Sequence, residues 1–331
     1  MKKIFLSICS IGLVMAYGCQ SGTTEQAQET ATTTENTAPA IKVPAFNADS
    51  AYSYIAQQVA MGPRVPGSAA QLKCANWMEG QLKMYCDSVY RQETQLLAGD
   101  KKTKLRCINL IGAIRPQAKR RILLLAHWDS RPWADQDVTD KDKPIDAADD
   151  GASGVGVLIE LANALKNTPL NNPDLGVDIL LTDVEDYGKT EWKDDSYALG
   201  TQYWAKNPHV PGYRAEGGIL LDMVGGKNAR FPLEGNSQQY AANLQKSVWA
   251  AANQAGYSSY FVYENGGTIT DDHVPVNQII KIPTIDIIHL PAGSNTGFPS
   301  HWHTHNDNMS VIDRSTLKAV GQTLLQFLYQ Q

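Results

Sequence analysis

The segment "RILLLAH", residues 121–127, is apolar at every position between its arginine and its histidine. A strand with one face in water alternates apolar and polar residues. A short continuous apolar run therefore belongs in a sheet covered on both faces. Further strands are predicted at 176–182, 217–223 and 283–290 and near 88–97 and 104–113. In "DGASGVGVLIELANALKN", Val155, Leu158, Ile159, Ala162 and Leu165 recur at i, i+3, i+4, i+7 and i+10, the stripe of an amphipathic helix. The stretch "AAQLKCANWMEGQLKMY" shows the same period, and helices are predicted near 194–206, 235–255 and 314–329. This order predicts an α/β three-layer sandwich, with a central mixed, mostly parallel twisted sheet flanked by helices. With 331 residues, 43% hydrophobic and 19% charged, the chain suits one large domain and is neither fibrous nor wholly disordered in composition.

The beginning, "MKKIFLSICSIGLVMAYGCQSG", has two lysines, an apolar run from Ile4 to Ala16 and small residues before Cys19. That is the plan of a signal peptide over residues 1–18, too short for a spanning helix. "AYGC" resembles a bacterial lipobox, which implies a lipid anchor at Cys19. Ala16 and Tyr17 depart from the usual pattern, and an ordinary cleaved secretory signal is the alternative. Residues 19–44 then read as the lipidated cysteine and a flexible tether, because the Thr/Glu/Gln-rich run from 20 to 42 offers almost nothing to bury. Residues 45–331 read as a single catalytic domain, exported to the periplasmic side of a bacterial envelope and expected to be monomeric. The net charge of −5 and the lack of a basic tract argue against nucleic acid. Cys74, Cys86 and Cys107 allow one bridge plus a thiol, or three buried thiols.

The strand ends carry an unusual density of acid. In "DILLTDVEDYG", residues 178–188, Asp183, Glu185 and Asp186 follow a buried-strand pattern within a few residues. Like charges and desolvation both oppose ionisation there, so a cation, a metal or a catalytic proton should compensate. His127 and Asp129 follow one strand, and Asp222 ends another. Asp149 and Asp150 precede the helix, and Asp271, Asp272 and His273 form "DDH". His301, His303, His305 and Asp307 sit in "SHWHTHND". In open α/β sheets, sites lie beyond the carboxyl ends of the strands. Mixed imidazole and carboxylate ligands suit zinc, and three of them with an open fourth position make a catalytic site. Alone, Asp150 could be a helix cap, Asp222 a loop partner and the alternating histidines a solvated edge. Their convergence on strand ends favours a site. Loop 131–150 is also longer than a compact domain needs.

The series "HWDS", "DDGASGVG", "VED", "LLDM", "DDHVP" and "WHT" resembles the zinc aminopeptidase superfamily, and within it the glutaminyl cyclase branch (glutaminyl-peptide cyclotransferases), over about residues 45–331. The resemblance implies one zinc per chain, held by Asp150, Asp186 and His303. It implies Glu185 as the catalytic acid/base, and Asp222 and Asp271 around the substrate amine. Trp192, Phe298 and Trp302 are implied as aromatic walls of the pocket. Asp186 stands where many relatives have Glu. The implied substrates are peptides or proteins with N-terminal glutamine. A zinc aminopeptidase of the same superfamily is the alternative, since His127, Asp150, Asp186, Asp222 and His303 would equally serve a two-metal site. Asp271 and the tryptophans Trp192 and Trp302 tilt the resemblance to the cyclases.

Overall fold

The computed structural model describes residues 42–192 and 194–331. The expected signal segment 1–18, Cys19 and the expected tether up to residue 41 lie outside the described residues. In chain order the elements are α1 (Ala48–Val59), α2 (Ala69–Tyr85), β1 (Ser88–Leu97), β2 (Lys104–Ile114), β3 (Arg120–His127), α3 (Ala152–Asn167), β4 (Leu175–Thr182), α4 (Leu199–Lys206), β5 (Gly217–Asp222), β6 (Phe231–Leu233), α5 (Gly235–Gln254) and β7 (Phe261–Asn265). A single turn, α6 (His273–Pro275), a π-turn over Val276–Ile280, β8 (Thr284–Ile288) and α7 (Arg314–Tyr329) complete the chain.

Six strands form the main sheet in the order β1-β2-β4-β3-β5-β8. β4, β3, β5 and β8 run parallel, and β2 runs against β1 and β4. The mixed, mostly parallel sheet of the sequence reading is therefore present. From β3 the chain crosses to β4 on one side and later to β5 on the other. At such a reversal the loops diverge and leave a crevice at the carboxyl edge.

Alternate residues of one strand serve the two covering layers, as the continuous apolar runs require. Ile122, Leu124 and Ala126 pack with Ile55 of α1, Val155 and Leu158 of α3 and Leu324 of α7. Leu123 and Leu125 point the other way and pack with Trp204 of α4 and Val276 of the π-turn. Cys74, Cys86 and Cys107 are three free, buried thiols.

Some elements differ from their predicted bounds. α4 starts at Leu199 because Ala198 adopts a left-handed conformation (φ 51°), and residues 194–196 form a separate 3-10 turn. α1 buries only Ala51, Ile55 and Gln58, a stripe too thin to stand out in sequence, although Asn47 caps it through Asp49 N–H and Ser50 N–H. β6 and β7 pair as a small separate parallel sheet, too short for a period of two to show.

α3 lies close against the sheet at Gly154, where an added Cβ would stand 2.4 Å from the Leu221 carbonyl oxygen. Gly154→Ala must push backbone from backbone, an overpacking that costs roughly 1–3 kcal/mol. Thermal denaturation should register about 2–4 °C lost per kcal/mol in a domain of this size. An unchanged midpoint would mean that the helix is free to shift.

Candidate metal centre

The site assembles where the parallel strands end. β3 ends at His127, and the buried Asp129 follows. Asp129 accepts hydrogen bonds from Glu185 N–H (3.0 Å) and Asp186 N–H (3.1 Å), one on each oxygen, and so fixes the turn after β4. Asp307 does the same for the N–H groups of Asp149 (2.7 Å) and Asp150 (3.1 Å). Asp183 turns back and accepts from Ile108 N–H and Gln71, tying β4 to β2. Of the three acids in "DVED", only Glu185 and Asp186 therefore face the crevice.

Backbone strain marks the same places. Val184, Met223 and His303 all have positive φ (58°, 47° and 55°). Such conformations are uncommon for bulky or β-branched residues and cluster at functional sites. Each adjoins or is a predicted site residue. The turn at His303 also separates the three histidines. His301 Nε2 lies 2.8 Å from Asp149, His305 Nδ1 lies 2.9 Å from Asp137, and His303 alone enters the crevice.

Asp150, Asp186 and His303 bring one potential ligand atom each within 4.8 Å of one another. His303 Nε2 is 3.4 Å from Asp186 Oδ1 and 3.7 Å from Asp150 Oδ2. Asp186 Oδ2 is buried with no hydrogen-bond partner, an acceptor left over for a cation. The donor set, two carboxylates and one imidazole, fits zinc. Burial opposes charge on Asp186 and His303. For Asp186 the charges of Arg131 and His303 outweigh it and lower the pKa; for His303 Asp186 and Asp135 raise it.

Asp150 belongs to a second group as well. His127 Nε2 is 3.0 Å from Asp150 Oδ1 and 3.2 Å from Asp222 Oδ1. Burial opposes charge on His127, yet Asp129, Asp150 and Asp222 together raise its pKa well above the usual value. Burial and then Asp150 push Asp222 up to about 7. Burial above all, with Asp186 and Asp271 adding and His127 opposing, lifts Glu185 well above the carboxylate range. A third group, Asp271, His273 and Asp286, is buried beside Glu234, whose Oε2 is 3.3 Å from His273 Nε2. Burial and neighbouring carboxylates push Asp271 and Asp286 well up.

A narrow slot of about 70 Å³ joins these groups. It brings together Asp150, Asp186, His303, Glu185, Asp222, Asp271, Phe298 and Trp302. Trp302 stacks on His303 and on Phe298, with ring centroids 3.6 and 4.4 Å apart. Trp192, expected as a third wall, does not line the slot. Its 3-10 turn carries the ring onto Tyr187 and against Ala98, Leu105 and Val184.

Sequence reading missed Tyr197, which lines the slot, and the pair Arg131 and Asp135. Arg131 donates to Asp186 Oδ1 (2.7 Å) and, through Nε and Nη2, to both oxygens of Asp135 (2.7 and 2.8 Å). Asp135 Oδ1 is 3.3 Å from His303 Nδ1. One ion pair thus yokes two of the candidate ligand residues, by a hydrogen bond to Asp186 and by charge attraction alone at His303 Nδ1, and leaves Nε2 of His303 free to bind. An arginine four residues before an aspartate in the long polar loop was the signal available. Partners of this kind are typically worth about 10–100-fold in metal affinity. Asp135→Asn should weaken zinc binding by that factor in chelator competition while the fold is retained; unchanged affinity would refute the yoke.

Comparison with known proteins agrees with this geometry. The pattern of peptidase family M28 matches residues 109–328. A solved glutaminyl cyclase of Bacteroides thetaiotaomicron is 47% identical with a TM-score of 0.84, covering 88% of this chain and 100% of that one. A solved Zn-dependent exopeptidase of Parabacteroides distasonis is 51% identical with the same TM-score and the same coverage. The glutaminyl-peptide cyclotransferase of Bos taurus is 27% identical over 248 residues, 67% of this chain, and the match spans only 65% of that relative's length. The chain belongs to peptidase family M28, on its glutaminyl cyclase branch.

Proposed function

We propose that this protein is a zinc-dependent glutaminyl-peptide cyclotransferase, which converts the N-terminal glutamine of peptides or proteins to pyroglutamate and releases ammonia. The observation that carries the reading is the slot: about 70 Å³ of space, aromatic on one side, with the three ligand residues and Glu185 in its lining. That volume suits one short side chain. In ring closure the α-amine nitrogen bonds to the side-chain amide carbon, and the bond from that carbon to the amide nitrogen breaks.

One zinc, held by Asp150, Asp186 and His303, supplies Lewis acidity at a carbonyl oxygen. Glu185 takes a proton from the α-amine, whose ordinary pKa is about 8, and returns it to the departing nitrogen. Burial, the largest cause that raises its pKa, also favours a carboxylate that can hold a proton and hand it on. Asp222 and Asp271 orient the amine. Phe298 and Trp302 hold the side chain folded and exclude water, favouring closure over hydrolysis.

A second reading draws on Asp150, which is common to two candidate groups. Two metals bridged there would serve an aminopeptidase. His127 Nε2, 3.0 Å from Asp150 Oδ1 and 3.2 Å from Asp222 Oδ1, can serve these two carboxylates as a hydrogen-bond donor without a second metal, which supports the one-metal reading.

We further infer a signal peptide over 1–18, a lipid anchor at Cys19, a monomer, and residence on the periplasmic face of a bacterial envelope. Support comes from the charged start, apolar run and small residues before Cys19. No helix among the described residues is long and apolar enough to cross a membrane. Mass spectrometry of the mature N-terminus should find an acylated Cys19; cleavage elsewhere without an acyl mass would sink that inference.

Zinc-loaded protein incubated with Gln-, Asn- and Leu-initiated peptides should remove one ammonia from the Gln peptide alone. Asparagine would have to close a strained four-membered ring. Glu185→Gln should keep zinc and fold and slow turnover by about 100- to 10,000-fold, the usual worth of a general acid–base group. Release of free leucine, or two stoichiometric zincs, would favour the aminopeptidase.

A further inference from the structure

The slot accepts one side chain, so the rest of a peptide must lie elsewhere. Besides a cavity of about 270 Å³ that meets it at Ile269, two larger ones adjoin it. One, of about 350 Å³, shares Tyr197, Thr270 and Asp271 with the slot and also carries Asp195. The other, of about 610 Å³, shares Phe298 with it and lies along loop 291–301. A tetrahedral α-carbon decides between them. With the glutamine side chain in the slot and its amine towards Asp271, the chain must leave on the remaining side, across Phe298. Two extended residues reach roughly 7 Å, enough to cross an aromatic ring.

We infer that the 610 Å³ cavity is the subsite for the residues following the N-terminal glutamine, and that it favours an acidic side chain there. The inference rests on the cyclase reading of the slot and adds a substrate preference to it. Its volume lies within the range of ordinary ligand sites. Five carboxylates ring the slot, and Asp195 and Asp271 line the neighbouring cavity. Among the described residues none of those lining the 610 Å³ cavity is acidic. Lys227 stands at its rim, steadied by donating to the Ser310 carbonyl oxygen (2.6 Å), with further ammonium hydrogens left to donate. Asn228 and Asn295 add neutral donors. His301 is engaged by Asp149, and burial keeps His289 neutral by lowering it to about 4. An acidic side chain therefore meets one cation and several donors here, whereas the other cavity would repel it.

The test is kcat/KM for a series of short Gln-initiated peptides with Glu, Ala or Lys at the second or third position. The Glu peptides should exceed the Lys peptides by about fivefold, the upper end for an exposed ion pair. The gap should shrink near 1 M salt, where the Debye length is about 3 Å. Lys227→Met should abolish the preference and Lys227→Glu should reverse it, with the Ala peptides unaffected in both. Equal rates for Glu and Lys peptides, or a preference that survives Lys227→Glu, would overturn the subsite while leaving the cyclase reading intact. Failure to cyclise any peptide would overturn the cyclase reading itself, and the subsite with it.

Discussion

Two carboxylates outside the slot hold the centre in place. Asp129 and Asp307 each use both oxygens to accept from two successive backbone N–H groups, 185–186 in one case and 149–150 in the other. Backbone N–H groups are dipoles with no charge to lose, so these bonds satisfy a buried carboxylate without adding a cation. They also leave the side chains of Glu185, Asp186 and Asp150 free to project into the crevice. The cost is electrostatic. Burial and the nearby Asp149 and Asp150 push Asp307 itself up to about 7.

That cost shapes everything around it. Acids outnumber cations at the carboxyl edge, where Arg131, His127 and His301 are among the buried side chains that answer them. Arg131 answers Asp186 and Asp135, and His127 answers Asp150 and Asp222. The remaining groups, Glu185 and Asp271 among them, respond through raised pKa values. A divalent ion bound at the candidate group Asp150, Asp186 and His303 would change this balance, because its charge would reverse the like-charge penalty on the residues that held it. The strained φ at Val184, Met223 and His303 fits the same picture: conformations that cost energy persist where the surroundings over-determine them.

How much was legible in sequence follows from the range of the forces. "RILLLAH" and its companions announced two-sided burial because that pattern is local. The acids after those strands announced a site because polar groups at core-strand ends require a reason. The choice among His301, His303 and His305 was not local. An extended segment would have put all three on one face, and the turn with His303 at φ 55° sends them to different partners. Trp192 misled for a similar reason: its place in the motif order was right for a wall, but the path of residues 190–192 sets the ring beside Tyr187. Arg131 and Asp135 went unread because a supporting ion pair has no spacing rule of its own. It becomes visible only when the loop closes over the ligands.

That loop carries a further consequence. Residues 131–150 contain no helix or strand, yet they include Arg131, Asp135 and Asp150, which between them hold or supply the candidate metal ligands. Whatever binds the ligands therefore also binds the loop, and by linkage an ion that prefers the ordered form must stabilise it in proportion to its free concentration. An unmetallated chain would present a longer polar segment to proteases than a loaded one. In the cell, metal supply would then govern the protein's lifetime as well as its chemistry, through selective survival of the chains already charged with zinc.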